Sequence, residues 1–407
     1  MNNKKYNIWY LSAYDSPNGN SPRTMQFAKF FSKYGHNVSF LTNNFCHFQK
    51  IFIKEVNFLW REDFQNNIKV VWLKTSNYND NLGHARIWNM WQNMYKTFVY
   101  GICCRERPAI IIAPSVPISL GFIGCLLSKI LNCPMIYEIR DLWPEILADI
   151  GAIKKDNISF KIMRQMEKYI YKNCKAIVTT LPFIKDYIKS ITKKVVILKY
   201  IPNGVEIKQK HTCLPKQQKS TKINKIMYFG GFGLDHDIET ILEAAKILNL
   251  KHKSKYIFHL FGAGPKKSQM VKKAKIENIS NVFFHNQVPK SKIPLKSKQS
   301  HLLIAAITNS PSYRFGINLN KIISYFICVK PILFSGNSPN NPVKEAGAGL
   351  TVPAACPKKM AFAIKKILSM PAKKRLEMAV SGYNYAINKL NIEYLGNEYL
   401  KLIHSLV

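Results

Sequence analysis

AIIIAPSVPISLGFIGCLLS, residues 109–128, decides between two kinds of protein. An uncharged run of this length is about what a membrane-spanning helix needs. Pro114 and Pro117 argue against one, because proline lacks the N–H donor and its ring clashes with the preceding turn, breaking a helix in its first third. A short buried strand at 109–113, a turn, and an apolar helix from Ile118 accommodate both prolines. The segment therefore reads as one strand–turn–helix unit rather than as a membrane span.

The same unit recurs on both sides. Towards the N-terminus, an apolar strand at 7–12 is followed by a polar Gly/Pro/Ser loop. A helix at 24–34 with i, i+3, i+4 apolar spacing ends at Gly35-His36, and strands follow at 38–42 and 68–73. Towards the C-terminus, strands at 135–139, 176–180 and 195–198 complete the series. Strands alternating with helices, without hairpin turns, imply a parallel, doubly wound α/β sheet. Residues 206–224, Lys-rich and nearly free of large apolar side chains, read as a linker. After them the alternation restarts, with strands at 225–229, 256–261, 282–285, 301–306 and 331–334 and helices at 238–248 and 321–327. The expected organisation is a first domain at 1–205, the linker at 206–224, a second domain at 225–370, and C-terminal helices at 371–407 that pack across both halves.

The chain has 407 residues, 47% of them hydrophobic, with 60 Lys and Arg against 23 Asp and Glu for a net charge of +37. That apolar content excludes disorder over most of the length. The charge predicts a polyanionic partner: nucleic acid, an anionic membrane or a phosphorylated substrate. Nine cysteines form no CxxC pair and no cluster with histidine at ligand spacing, which argues against structural zinc and a disulfide scaffold. The apolar run before Asp15 is too short for a signal peptide's core, so a reducing cytoplasm is the expectation.

Chemistry concentrates in the loops after strands. Gly230-Gly231-Phe232-Gly233 stands between a strand and a helix, where backbone amides and a helix N-terminus stabilise a phosphate. Gly262-Ala263-Gly264-Pro265 repeats the design on the next unit, at the same sheet edge. Neither is a GxGxxG or a P-loop. Asp235-His236-Asp237 resembles a metal-binding DxD, but aspartates just ahead of a helix are favoured N-caps. In residues 313–324, Arg314 and Lys321 fall between a strand and a helix. Cations at a helix start are unfavourable unless an anion binds, and Lys321 suits a point contact to a phosphate oxygen. In the first half, Glu138-Ile139-Arg140-Asp141-Leu142-Trp143-Pro144-Glu145 puts charges at the end of an apolar strand. Asp141 there can act as general base on a hydroxyl, with Arg140 and Glu145 arranging the charge around it. Alternatively the group is an Arg–Asp salt bridge, with Pro144 opening a helix.

Asp141-Leu142-Trp143-Pro144-Glu145, Ile201-Pro202-Asn203-Gly204-Val205, the restart at 228–233, the segment 261–265, Lys321, Lys330-Pro331-Ile332 and Glu345-Ala346-Gly347-Ala348-Gly349-Leu350 occur in an order that resembles glycosyltransferase family 4. The likeness is strongest to the bacterial subgroup that builds O-antigen and capsule. The resemblance implies the GT-B fold, two facing Rossmann-like domains, with the donor nucleotide held by the second and the acceptor by the first. It implies a retaining, metal-independent transfer from a nucleotide diphosphate sugar, usually a UDP-sugar, to a lipid-linked or saccharide acceptor. On that likeness Gly230, Gly231 and Gly233 hold the diphosphate, Gly262 and Gly264 lie near the nucleoside, Gln287 falls in the loop beside the base, and Lys321 is the family's lysine. Arg314 joins the donor side, and Gly19 lies in the first loop facing the diphosphate. Ser324 stands where relatives carry a carboxylate for the ribose, and it offers only a neutral hydrogen bond.

Two other readings of the basic charge compete. A nucleic-acid-binding protein would use it electrostatically, but no helix-turn-helix, RNA-binding aromatic signature or zinc finger is present and the lysines are dispersed. An inactive transferase-like interaction protein is the third. The leading expectation is an enzyme on the cytoplasmic face of the bacterial inner membrane, held peripherally by anionic lipid, where each lysine contributes roughly 1 kcal/mol.

Overall fold

Ile110–Pro114 is a strand buried at every position, and Ile118–Ile130 is the helix that follows it. The decisive segment thus folds as a strand and a crossover helix, and among the described residues no helix is long and apolar enough to cross a membrane. The structure, a computed structural model, describes residues 4–17, 22–47, 49–79, 83–206, 223–251 and 255–407. It divides into two compact units, Met1–Glu206 with Ile392–Val407, and Ile207–Asn391.

In the first unit an eight-stranded sheet runs, in spatial order, Ile197–Tyr200, Ala176–Thr179, Met135–Ile139, Ile110–Pro114, Asn7–Leu11, Asn37–Asn43, Ile68–Leu73 and Trp60–Gln65. All neighbours but the last pair are parallel. These strands are rich in Ile, Val and aromatic residues because helices cover both faces of such a sheet. Chain order reverses on either side of Asn7–Leu11, so the loops after it, after Ile110–Pro114 and after Met135–Ile139 meet at one edge.

Trp60–Gln65 corrects the expectation of a sheet without hairpins. It pairs antiparallel with Ile68–Leu73 through Asn66 and Asn67, both at positive φ (51° and 59°). Asparagine tolerates that backbone region, which a two-residue hairpin loop requires. The strand escaped the apolar pattern because Trp-Arg-Glu-Asp-Phe-Gln is a half-exposed sheet edge.

The second unit carries a six-stranded, wholly parallel sheet: Val282–His285, Tyr256–Phe261, Asn224–Phe229, Leu302–Ala306, Ile332–Ser335 and Gly349–Val352. Its order reverses between Asn224–Phe229 and Leu302–Ala306. Tyr228, Phe258, Leu260 and Ile304 pack there with Ile241, Leu242 and Leu248 of the helix Ile238–Lys251. Of the expected linker, residues 207–222 lie outside the described residues.

The C-terminal stretch is two helices divided between the units. Ala372–Lys389 belongs to the second and packs on the helix Asn320–Ile327, whereas Ile392–Leu406 returns to the first. There Tyr399 meets Phe27 and Phe31 edge-on, with ring centroids 5.2 and 5.5 Å away. Gly396 lets the backbone approach Phe30, since a Cβ there would fall 2.4 Å from that ring.

Candidate active site

The second unit's sheet edge holds a cavity of about 370 Å³, formed where Asn224–Phe229 and Tyr256–Phe261 end in register and the helix Asn320–Ile327 begins. Gly230, Gly231, Gln287, Lys321 and Ser324 line it, as do His236, Lys290 and Asn318. Tyr325, fully buried, holds the wall: its hydroxyl accepts from the Phe229 N–H at 2.7 Å and donates to the Phe229 and Ile304 carbonyls at 3.0 and 3.2 Å.

Among the described residues, Lys321 is, with Lys290, one of two lysines that line this cavity. Its Nζ donates to the Tyr228 hydroxyl at 2.9 Å and sits 4.6 Å from the centre of that ring. Among the described residues it makes no ion pair, and burial pushes its ammonium down to about 7. The helix it opens has no acidic residue in its first turn and no side-chain cap. An uncapped N-terminus beside a lysine that burial and the nearby Asp235 pull in opposite directions is the arrangement an incoming anion would stabilise. Burial together with Lys321 pushes His236 down to about 4, so it stands neutral beside that cation.

The two glycine loops have different tasks. Gly230 N–H donates to Phe261 O at 3.0 Å and Phe232 N–H to Ala263 O at 2.9 Å, so these amides knit the loops together. Among the described residues the Gly231 N–H makes no such bond. Gly262 and Gly264 are absent from the cavity wall. A Cβ on Gly262 would lie 1.9 Å from Gly230 O, and one on Gly264, at φ +150°, 2.7 Å from Phe232 O. They therefore permit close packing of one loop on the other. Gly233 is also off the wall, and Arg314 is exposed, its guanidinium donating to Pro311 O at 2.7 Å and stacking 4.3 Å over Phe315. Ser324 donates to Asn320 O at 3.0 Å, one turn back in its helix. Asp237 is an N-cap, accepting from Thr240 N–H at 3.0 Å and from its hydroxyl at 2.6 Å. Lys290 and Asn318 were missed by the sequence reading. Lys290, in the basic run 290–298, looked like one lysine among many until the chain turned it to the cavity.

In the first unit the charged strand end is parcelled out. Asp141 is exposed, and its carbonyl accepts from Ser115 Oγ at 2.7 Å. Arg140 does not pair with it. Its guanidinium lies 2.9 Å from Asp15, which also accepts from Thr24 Oγ1 at 2.7 Å. Burial opposes the Arg140 charge, but Asp15 and Glu138 outweigh it and raise the pKa. Glu145 is buried between Lys155 and Arg164, each 2.5 Å away. Burial alone would raise its pKa, yet the two cations hold it below the usual carboxylate range. Gly19 lies outside the described residues.

The unforeseen member is Glu138, fully buried in an otherwise apolar strand. It accepts from Tyr10 Oη at 2.6 Å and from Arg23 Nε at 2.9 Å, with Arg23 Nη2 also at 2.9 Å. Arg23 Nη1 donates to Pro202 O at 2.7 Å, so the Pro202-Asn203-Gly204 turn is anchored to the strand by this pair. A lone acid within Met-Ile-Tyr-Glu-Ile was the available signal, since a buried carboxylate needs a partner.

Two doubly wound sheets, the first parallel but for one edge strand and the second wholly parallel with a lysine-bearing cavity at its strand edge, define an α/β protein. Residues 210–385, which contain the cavity, match the family model described as glycosyl transferases group 1. No curated protein matches the chain by sequence. Among solved structures, sucrose-phosphate synthase from Thermosynechococcus elongatus is similar over 99% of each chain at TM-score 0.74 and 15% identity. HepE from Anabaena, in complex with UDP and glucose, matches at TM-score 0.68 and 14% identity over 98% of this chain and 100% of its own. WaaG, a glycosyltransferase involved in lipopolysaccharide biosynthesis, matches at TM-score 0.68 and 12% identity over 98% and 99%. The chain has the GT-B fold, and its second unit carries the group 1 glycosyltransferase match.

Proposed function

We propose that this protein is a retaining glycosyltransferase of family 4 that moves a sugar from a nucleotide diphosphate sugar, UDP-linked, to a lipid-linked or saccharide acceptor. The observation that carries the reading is Lys321: a lysine that makes no salt bridge among the described residues, at an uncapped helix N-terminus, in a cavity inside the segment that matches the group 1 family. Lys321 and the helix N-terminus stabilise the departing diphosphate, so the reaction needs no metal. Gly230 and Gly231 admit the diphosphate, Gln287 and Lys290 border the nucleoside, and Ser324 takes a ribose hydroxyl. Asp141 orients or deprotonates the acceptor hydroxyl. Arg140 and Glu145 support it only through the backbone they hold, because their charges are engaged with Asp15 and with Lys155 and Arg164.

The pathway we assign is bacterial surface polysaccharide synthesis, O-antigen or capsule, on the inner face of the cytoplasmic membrane. The net charge of +37 and the bound UDP and lipopolysaccharide role named for two similar structures support it. The test is a screen of UDP- and GDP-sugars with purified protein and a membrane lipid extract, read by mass spectrometry of the lipid product. UDP-sugar-dependent glycosylation of a lipid is expected. Thermal stabilisation by nucleic acid and by no nucleotide would overturn the reading.

A further inference from the structure

The helix His84–Cys103 in the first unit is folded with its polarity inverted. Asn89, Asn93 and Thr97, one turn apart along one face, are fully buried. Asn89 Nδ2 donates to Ser76 O at 2.5 Å, Asn43 Nδ2 donates to Asn89 Oδ1 at 3.2 Å, and Asn93 Nδ2 donates to Asn43 Oδ1. The opposite face carries Ile87, Trp88, Trp91 and Tyr95, which are 51–60% exposed. At 100° per residue these four fall within about a third of the helix circumference, so they form one stripe.

A water-facing helix that buries asparagine and exposes tryptophan leaves a large apolar surface for something to cover. Charge selects the occupant. The helix contains no Asp or Glu, on a chain of net charge +37; its Arg86 turns inward to Tyr14 and its Lys96 to the Lys74 carbonyl, so the exposed stripe itself carries no acidic group. Two such copies repel each other, whereas an anionic surface attracts both. Tryptophan and tyrosine favour the boundary between lipid headgroups and acyl chains, and an amphipathic helix with basic flanks lies in that plane.

We infer that the outward face of His84–Cys103 is the surface by which this protein docks on an anionic lipid bilayer, inserting Trp88 and Trp91 at the headgroup level. The inference rests on the membrane-bound reading above and adds the residues that make the contact. Full-length protein is sedimented with vesicles of phosphatidylethanolamine and phosphatidylglycerol, and with phosphatidylcholine alone. Binding to the anionic vesicles only, a blue shift of tryptophan emission, and a loss of about tenfold to a hundredfold in vesicle affinity for Trp88→Ser/Trp91→Ser are expected. Both side chains face solvent, so UDP affinity measured on the same samples stays unchanged. If the double variant binds vesicles as the wild type does, this face is not the contact, although membrane association survives. Wild type that binds UDP but no vesicle overturns docking and leaves the transferase reading intact. A wild-type dimer that the double variant dissociates assigns the face to a second copy and likewise overturns the inference.

Discussion

The proposed role of Lys321 predicts donor binding that depends on pH in a calculable way. Its ammonium titrates near 7 in the ligand-free cavity because burial disfavours the charge. A diphosphate placed beside it raises that value, so above neutrality binding must take up a proton. The sign follows: affinity is full below about pH 7 and falls as pH rises, until the pKa of the complex is reached. With the free value near 7, the neutral fraction reduces apparent affinity by a factor of 1 + 10^(pH−7), about eightfold between pH 7.5 and 8.5. A nucleotide diphosphate sugar is the ligand to use, since its diphosphate has no secondary ionisation in this range. Calorimetry at pH 8 in two buffers of different ionisation enthalpy should count about 0.9 proton taken up. Lys290 lines the same cavity and is also lowered by burial, so variants must separate the two. Lys321→Arg, charged throughout, should bind with little pH dependence, and Lys321→Ala should bind weakly with no uptake assignable to this site. Affinity that is flat with pH in the wild type, or a Lys321→Ala variant that binds as tightly, would refute the role.

Glycine at 262 is required by the fold, and on the proposed donor role glycine at 231 answers to the ligand. Gly262→Ala, with its Cβ 1.9 Å from Gly230 O, should cost several kcal/mol in denaturant unfolding, whereas Gly231→Ala, whose nearest atom is 3.4 Å away, should leave stability within about 1 kcal/mol and weaken donor binding. Equal stabilities would dispose of that distinction. Glu138→Ala strands the buried Arg23 guanidinium and should lower unfolding free energy by about 3–5 kcal/mol; a loss below about 1 kcal/mol would mean that the pair is not sealed from water. Asp141→Asn keeps size and hydrogen bonding while removing the charge, so kcat should fall about a hundredfold with nucleotide affinity retained. Normal turnover would remove Asp141 from the chemistry.

How far the chain could be read before folding depended on whether the signal was local. Buried parallel strands are nearly continuous apolar runs, so Ile68–Leu73, Met135–Ile139 and Tyr256–Phe261 were legible to the residue, and two α/β halves followed from their alternation with helices, whereas GT-B came only with the family resemblance. Local chemistry also marked Lys321, Gly230 and Gly231, because a strand-to-helix loop announces its sheet edge, whereas Gln287 and Ser324 came only with the family resemblance. Partnership was not legible. Arg140 stands next to Asp141 in the chain yet pairs with Asp15, 125 residues away, and Glu145 pairs with Lys155 and Arg164 across a turn and a helix. Successive side chains of an extended segment point to opposite sides, so sequence neighbours are poor guides to ionic partners. The inverted helix His84–Cys103 makes the same point: composition supplied its asparagines and tryptophans, but only packing against Asn43 and Ser76 decided which face turned inward. The sequence by itself determined most of the buried strands and the glycine-rich loops after them, since backbone preference and apolar periodicity act over a few residues, but not the exposed edge strand Trp60–Gln65 or the helix His84–Cys103. The tertiary structure alone decided which charges are spent on the fold and which remain for a ligand, because that choice is made by groups brought together from distant parts of the chain.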